Sequence, residues 1–442
     1  MPILRPSGNR DSEWQMKLRE RRWTLHRWHA PVLGVGLGAC AGAAPSADGP
    51  ATVEARGDSE HPGCVVARVP LAVGDGVYPY IEPEDLIQVG SSYVVVGSPS
   101  YTWAPGTPGD SLPLTMNRHL AARFTLDGRA TLIERPVQDS VGSVRALPLG
   151  GDRWGVLFDI ERRRASGHNW ESVALWYAEH DGAAWSLLEP VPMPEEWDLD
   201  IDSSSELVRV GEDLVWVVAV RPSGRPPEVV EYTRREGEWE HRVVSDHWME
   251  VSTLAYEEGS GLWMANFAVD PRATDRQRAL RLYRRTADWQ LMRHVYVASG
   301  GESAGDPSIT VRPGGVTVTW RVISVADHGA YALVGIGPDS EGTPVDLDRE
   351  VPQVLSLRSP DGAPRWLLTH VNEDRSVDLR LLGPRALFGA ERMAAAPSPY
   401  LGFLAALART PQEAIVVGPE VSSDPADPFV RSLILRLSTS CT

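Results

Sequence analysis

The strongest constraint on the fold is a repeat of about fifty residues that runs from Cys64 to the C-terminus. One part of the repeat is a turn followed by a short run that opens on an aromatic or β-branched residue. Seven such runs occur, at residues 93–96, 154–158, 216–218, 263–267, 316–320, 366–368 and 415–417. Each follows another short apolar run and a turn, and this pattern predicts a β-hairpin.

A second hairpin pattern of strand, tight turn and strand follows each of the first. Its copies include Phe124, Tyr177, Tyr232 and Tyr283, which lie at nearly equal intervals, and weaker copies lie at 332–334, 377–379 and 433–435. Two hairpins per repeat make a four-stranded unit, and radial repetition of such units is typical of a β-propeller. We therefore predict an all-β fold, a β-propeller of seven four-stranded blades.

The two ends of the repeat region predict how the ring closes. The last unit shows three strand patterns before the chain stops at Thr442. Residues 64–70 resemble the fourth strand of the first unit, 132–137, in the placement of Arg68 and Pro70. We expect this N-terminal strand to complete the last blade.

Two cysteines flank the predicted junction. Cys64 begins the candidate strand and Cys441 follows the third strand of the last unit. A disulfide between them would replace the tight turn of the other blades, and an oxidising compartment would preserve it. Because the closed loop is nearly the whole domain, the chain-entropy contribution approaches about 5 kcal/mol as an upper value. Two free buried thiols are the alternative.

The N-terminal region predicts export. Residues 1–30 carry seven basic and three acidic side chains, and an apolar run of small residues follows at 31–40. This order is that of a secretion signal, whose true start could be Met16. Residues 37–40, Leu-Gly-Ala-Cys, resemble the bacterial lipobox, in which a signal peptidase cuts before a lipid-modified cysteine.

This resemblance implies a signal peptide at 1–39, a lipid on Cys40, a flexible tether to residue 63 and a propeller at 64–442. It also implies a location in the bacterial cell envelope, anchored to a membrane on the periplasmic or cell-surface side. A chance cysteine in a Gly/Ala-rich segment is the alternative.

Composition excludes several classes of protein. The chain has 59 acidic and 43 basic residues, a formal charge of −16, and therefore suits neither DNA nor RNA. Three cysteines are too few for a disulfide scaffold, and no apolar stretch is long enough to span a bilayer. We expect a monomer without a cofactor.

The candidate ligand surface lies in the connections between the second and third strands and between successive blades. These connections combine aromatic residues with carboxylates, a combination that can bind sugars or peptide side chains. The predicted ligand-binding residues are Tyr101, Trp103, Trp170, Trp197, Asp198, Asp200, Asp202, Asp246, His247 and Trp248. Tryptophans that plug the junctions between blades are the alternative.

A calcium loop at Asp198, Asp200 and Asp202 is a further possibility that the sequence favours weakly. An EF-hand-type loop needs glycine at its sixth position and glutamate at its twelfth, where this chain has Ser203 and Arg209. The alternation of these aspartates with apolar residues fits a strand with one acidic face equally well. We therefore assign no metal site.

The repeats resemble those of sialidase-like bacterial propellers, as in the pattern from Tyr177 through Gly182 to Trp185. Arg68 and Pro70 also resemble the Arg-Ile-Pro element of sialidases, although Ala67 stands where that element has an aromatic residue. The resemblance implies a glycan-cleaving hydrolase as the alternative to our main prediction, a binding or scaffold module for a glycan or protein ligand. We assign no catalytic residue.

Overall fold

The computed structural model describes the part of the chain that carries the repeat. The described residues are 64–73, 78–103, 119–139, 141–163, 170–194, 197–200, 205–222, 228–245, 249–269, 278–297, 302–312, 315–324, 331–336, 345–349, 353–357, 366–371, 376–382, 398–399, 405–410, 413–421 and 430–438. They belong to one compact unit, Thr52–Thr442. The predicted signal peptide, the lipidation site Cys40, the tether and Cys441 lie outside the described residues.

The described residues form strands and no helix. In chain order the strands are β1 (Cys64–Pro70), β2 (Ala72–Val73), β3 (Tyr78–Val89), β4 (Ser92–Trp103), β5 (His119–Phe124), β6 (Arg129–Glu134), β7 (Val141–Gly150), β8 (Arg153–Arg163), β9 (Trp170–His180), β10 (Trp185–Val191), β11 (Trp197–Asp200), β12 (Val208–Val210), β13 (Asp213–Pro222), β14 (Glu228–Arg235), β15 (Glu238–Ser245), β16 (Met249–Glu257), β17 (Gly261–Val269), β18 (Arg278–Arg285), β19 (Trp289–Val297), β20 (Glu302–Arg312), β21 (Gly315–Ser324), β22 (Tyr331–Ile336), β23 (Val345–Arg349), β24 (Gln353–Ser356), β25 (Trp366–Val371), β26 (Ser376–Leu382), β27 (Ser398–Pro399), β28 (Ala405–Thr410), β29 (Glu413–Val421) and β30 (Val430–Ser438).

The strands form seven sheets whose order follows the chain. We number them sheet 1 (β3 to β6, with β2 added beside β6), sheet 2 (β7 to β10), sheet 3 (β11 to β15), sheet 4 (β16 to β19), sheet 5 (β20 to β23), sheet 6 (β24 to β27) and sheet 7 (β28 to β30, with β1). In sheet 3 the first strand is split into β11 and β12, which both pair with β13. The all-β prediction is confirmed.

The predicted strand patterns fall in equivalent places. Each of the seven runs that open on an aromatic or β-branched residue lies in the second strand of a sheet. The copies of the second hairpin pattern lie in the third strands, with Phe124 in β5 and Tyr177 in β9. Apolar alternation between turn residues is thus sufficient to locate both hairpins of a unit.

Sheet 7 takes its fourth strand from the start of the repeat region. Strand β1 pairs antiparallel with β30, from Cys64 opposite Ser438 to Pro70 opposite Leu433. The backbone amide of Leu71 continues the pairing by donating to the carbonyl of Ser432 at 2.9 Å. The predicted strand partner of residues 64–70 is therefore found, whereas the Cys64–Cys441 disulfide stays a prediction.

Apolar side chains from neighbouring sheets pack face to face. One cluster joins Leu157 and Tyr177 of sheet 2 to Trp216 of sheet 3, and another joins Val94 of sheet 1 to Val156 of sheet 2. Further clusters join sheets 3 and 4, 4 and 5, 6 and 7, and 7 and 1. Burying each large apolar side chain contributes roughly 1.5–3 kcal/mol, so the core is distributed between the sheets.

The two ends of each sheet differ. Because successive strands are antiparallel, the connections between second and third strands lie at the same end as those between sheets. We call this end of the sheets the connection end. The opposite end carries the hairpin turns, and we call it the turn end. At the turn end Gly182 adopts a φ of 103°, and a Cβ there would lie 2.9 Å from the Cβ of Asp152. Glycine is therefore required where two turns meet.

Among the described residues, no helix has the length and apolar character to cross a membrane.

Candidate functional site

The structure places most of the described members of the predicted ligand surface at strand termini on the connection end. Tyr101 and Trp103 are in the last residues of β4, Trp170 begins β9, and Trp197 begins β11. Asp198 and Asp200 are on the same short strand, opposite Arg221 and Ala219 of β13. The remaining members, Asp202, Asp246, His247 and Trp248, lie outside the described residues.

Trp197 is the one predicted ligand-binding residue whose burial the structure describes. Its side chain is only 7% exposed and belongs to the apolar cluster between sheets 2 and 3. Its ring packs edge-on against His241, with ring centroids 5.0 Å apart. Trp197 therefore lies in a junction between two sheets, as in the alternative given above for tryptophans of this surface.

The described residues contain no cluster of three or more metal-ligating side chains. Asp198 and Asp200 belong to a strand, β11, as expected from their alternation with apolar residues. The geometry of the Asp198 to Asp202 segment as a calcium loop stays untested, since Asp202 lies outside the described residues.

Carboxylates from the first strand of one sheet accept hydrogen bonds from the first strand of the next. The backbone amides of Val144 and Ala146, in β7, donate to the carboxylates of Glu84 and Asp85, in β3, at 2.8 and 3.1 Å. Edge amides need such acceptors because no further strand pairs with them. A shift in the pairing register places Glu84 outside the ladder, and this bulge directs it to the neighbouring sheet.

The same arrangement recurs between sheets 3 and 4. Glu206 lies in the break between β11 and β12, and its carboxylate accepts from the backbone amide of Leu254 at 3.0 Å. The hydroxyl of Thr253 donates to both oxygens of the same carboxylate, at 3.2 and 3.1 Å. Interruptions of the first strands thus recur where carboxylates tie neighbouring sheets together.

Asp159 is the most unusual carboxylate in this region. It lies in β8 opposite the bulge of β7 and is only 1% exposed. One of its oxygens accepts from the hydroxyl of Ser172 at 2.5 Å, while its Oδ1 has no well-formed hydrogen bond within the described part of the chain. Burial raises the pKa of Asp159 to about 6, although Ser172, the Ser143 amide and Arg145 act in the opposite direction.

Arg145 connects Asp159 to the inter-sheet carboxylate. A guanidinium nitrogen of Arg145 lies 3.7 Å from the Glu84 carboxylate, and its positive charge also lowers the pKa of Asp159. Arg145 and Glu84 are both partly exposed, with 21% and 24% of their side chains accessible. The group therefore combines a carboxyl that can be protonated near neutral pH with an ion pair that solvent reaches, a combination that occurs at functional sites.

A second polar cluster, which contains Tyr177 and Glu179, has a structural role. The hydroxyl of Tyr177 donates to Glu179 at 3.1 Å, Arg153 pairs with Glu179 at 2.9 Å, and the Arg234 guanidinium lies 5.2 Å from the Tyr177 ring. Tyr177 is fully buried, and burial raises its pKa. A tyrosine in this state is not available as a nucleophile.

Sequence reasoning missed Glu84, Arg145 and Asp159. The available signal for Asp159 was a charged residue inside an apolar run, residues 154–160, that otherwise reads as a buried strand. Glu84 and Arg145 had no such signal, because their meeting depends on how two sheets pack. Isolated charges in short strands give no information on the neighbouring strand that they will reach.

No protein-family model and no curated protein matches the chain. Similar solved structures do exist. An ulvan lyase, a polysaccharide lyase, aligns with a TM-score of 0.50 and 9% identity, over 83% of this chain and 95% of the lyase. An α-L-arabinofuranosidase from Fusarium graminearum aligns with a TM-score of 0.45 and 11% identity over 67% of this chain and 93% of its own. A sialidase from Trypanosoma rangeli aligns with a TM-score of 0.41 and 12% identity, over 69% of this chain and 56% of the sialidase.

The described residues form an all-β protein of successive sheets of four or five strands, and its structural neighbours include propeller glycosidases. At such low identities the similarity concerns the fold alone.

Proposed function

We propose that the chain is a lipid-anchored protein of the bacterial cell envelope whose seven-bladed propeller binds a glycan or protein ligand at its connection end. The pairing of β1 with β30 and the apolar cluster between sheets 7 and 1 support a closed ring. The exported, lipidated state rests on the basic N-terminal stretch and on the segment that ends at Cys40. The Cys64–Cys441 disulfide is part of the same proposal.

The observation that carries the binding role is the difference between the two ends. At the turn end, short hairpin turns and ion pairs fill the surface, as between Arg123 and Asp152 at 2.7 Å. At the connection end, fifteen residues separate the end of β4 at Trp103 from the start of β5 at His119. Tyr101, Trp103 and Trp170 stand where strands enter these connections. Loops on a rigid frame are the usual position of binding residues.

A glycan microarray probed with the full chain tests this role. We expect selective binding that is lost when Trp103, Trp170 and Trp248 are replaced together by alanine. Cross-linking in envelope membranes, followed by mass spectrometry, covers a protein ligand. An absence of glycan binding together with cross-links confined to the turn end would contradict the proposal.

The anchor and the ring closure are tested separately. Cys40→Ser should prevent labelling with a clickable fatty acid and release the protein from membranes, and an unlabelled, soluble wild type would contradict the anchor. Peptide mapping without reductant should recover Cys64 joined to Cys441. Free thiols at both positions would contradict the disulfide.

A glycan-cleaving hydrolase is the second candidate, and Asp159 is the observation that favours it. A carboxyl with a pKa of about 6 is partly protonated near neutral pH, as a general acid must be, and the partly exposed Arg145 lies close enough to lower its pKa. Fluorogenic glycosides, including a sialoside, would report hydrolysis. Cleavage that disappears in Asp159→Asn but not in Asp85→Asn would establish this function in place of pure binding.

A further inference from the structure

The fourth strand of sheet 4, β19, has an exposed edge unlike the fourth strands of sheets 1 to 3. Five consecutive residues, from Gln290 to His294, are exposed, whereas exposed and covered residues alternate along most of β10. Three of the five large exposed hydrophobic residues in the described chain are on this strand: Leu291, Met292 and Val297. No described strand pairs with the far edge of β19. Its outer backbone groups are therefore available for pairing.

The sequence of β19 also lacks the acidic residues and prolines that the other fourth strands contain. Every other fourth strand contains an acidic residue or a proline: Glu134 in β6, Glu189 and Pro190 in β10, Glu238 and Glu240 in β15, Asp346 and Asp348 in β23, Pro399 in β27 and Pro70 in β1. Strand β19, Trp289–Val297, contains neither. Acidic side chains and prolines on an edge oppose the addition of an acidic strand, so among the described fourth strands β19 is the one most open to such a partner.

Two bulges limit what can pair there. The register between β18 and β19 shifts twice, and the shifts leave Met292 and Val295 outside the ladder. A bulge interrupts the regular spacing of backbone groups, so a long partner strand cannot follow the whole edge. The bulges therefore favour a short segment over the symmetric pairing of two complete β19 strands.

Charge indicates the chemistry of that segment. Residues 278–297, which form β18, β19 and their turn, contain five arginines and one aspartate, while the whole chain has a charge of −16. Arg285 pairs with Glu231 and Arg281 is buried, so Arg293 is the arginine in the exposed run of β19. Arg293 and His294 are exposed beside the apolar pair Leu291 and Met292. A second copy of this chain would bring a strongly acidic body against an acidic body, which opposes self-association.

We propose that β19 is a docking edge for a short, extended, acidic peptide of a partner protein, which adds as a strand and places alternate apolar side chains against Leu291 and Met292. The peptide carboxylates face Arg293 and His294. This site is on the fourth strand of sheet 4 and is independent of the ligand surface at the connection end.

The test uses a fluorescein-labelled peptide of alternating glutamate and valine residues and the full-length chain, with fluorescence anisotropy as the readout. We expect saturable binding that weakens with salt and drops about tenfold or more in Leu291→Glu and in Arg293→Glu. The matched control is Leu188→Glu, at a residue of β10 that is 40% exposed against 45% for Leu291, and it should leave the affinity unchanged. Circular dichroism of each variant separates lost binding from lost folding.

Two further peptides define the mode of binding. A version with lysine in place of glutamate should not bind, and a version with alternate backbone amides N-methylated should bind about tenfold more weakly or worse, because strand addition needs those donors. Unchanged affinity after N-methylation would contradict strand addition. No binding of the parent peptide at about 1 mM would overturn the proposal. A dimer of the chain that Leu291→Glu dissociates, or binding of phosphatidylglycerol vesicles through Arg293 without peptide binding, would also overturn it.

Discussion

Glu231 and Asp159 are two carboxylates that are buried equally, each only 1% exposed, but they are surrounded differently. Glu231, in β14, accepts from Thr233, Arg242 and the indole of Trp289, and Arg285 pairs with it at 2.9 Å. Asp159 has the hydroxyl of Ser172 and an oxygen without a well-formed hydrogen bond among the described residues.

The difference shows how the molecule uses buried charge. Arg285 and Trp289 belong to sheet 4, so their contacts with Glu231 connect two sheets. Trp239 and Arg234 of sheet 3 contact Glu189 of sheet 2 in the same way, at 2.8 and 2.5 Å. Such paired charges connect neighbouring sheets, whereas the carboxylate of Asp159 is buried with one hydroxyl donor among the described residues.

The largest effect is expected for Glu231→Ala. Removing this carboxylate leaves the guanidinium of Arg285, whose side chain is only 16% exposed, without its partner, so the free energy of unfolding should fall by about 3–5 kcal/mol. Urea denaturation measures the change. Glu212→Ala, which removes an exposed ion pair with Arg209, is the control and should change stability by less than about 0.5 kcal/mol. Similar small losses for both variants would remove the distinction between the two buried carboxylates.

Asp159→Asn should have the opposite effect and raise the free energy of unfolding near neutral pH. Because the folded-state pKa of about 6 lies above the unfolded value, protonation favours the folded state, and the wild type loses stability as the pH rises from about 4 to about 6. The variant lacks this loss and should be more stable at about pH 7.5, by up to about 3 kcal/mol.

Denaturation curves at several pH values measure this effect, and Ser172→Ala sharpens it. Loss of the Ser172 hydroxyl removes a donor that lowers the pKa of Asp159, so the decline of stability should extend to higher pH. An Asp159→Asn variant that is destabilised at every pH would show that the charge is needed for folding.

A smaller loss is expected for Glu84→Gln. The amide can accept only in part, so the backbone amide of Val144 and the side chain of Arg145 lose a charged acceptor, which corresponds to about 1–2 kcal/mol. Glu206→Gln should cost a similar amount, because it makes the equivalent contact with Leu254. Gln88→Ala, an exposed change on β3, is the control, and equal effects for Gln88 and Glu84 would contradict the inter-sheet role.

The smallest effect is a pH dependence from His180. Burial lowers the pKa of His180, whose Nδ1 accepts from the amide of Gly182 at 3.0 Å. The folded state therefore disfavours protonation, and the stability from this group is lost as the pH falls below about 6.5. His180→Phe should retain the stacking on Trp154 and flatten this part of the curve, with a change of about 0.5–1 kcal/mol. An unchanged slope below that pH would assign it to other groups.

The hairpin patterns in the sequence located every unit, because each strand is defined locally by apolar alternation and turn residues. Runs such as residues 154–158 and 415–417 lie in second strands, and residues 64–70 pair with β30. The burial of Trp197 could not be read in this way. An aromatic residue beside acidic residues has the same local pattern whether it faces solvent or packs against the next sheet.

The polar contacts between sheets could not be predicted from the sequence either. Glu84 meets Val144, and Arg285 meets Glu231, only because of bulges and of the packing between neighbouring sheets. Neither feature leaves a periodic signal in the sequence.

The central claim is that the connection end binds the ligand while the turn end stabilises the ring, and a pair of matched tryptophan variants tests it most directly. Trp103→Ala, at the connection end, should reduce glycan-microarray binding about tenfold or more and change the free energy of unfolding by less than about 1 kcal/mol. Trp239→Ala, which loses its contact with Glu189 and leaves a cavity, should lower stability by about 3–5 kcal/mol and leave binding intact at temperatures where the protein is folded. The reverse result, with Trp103 required for stability and Trp239 for binding, would contradict the account.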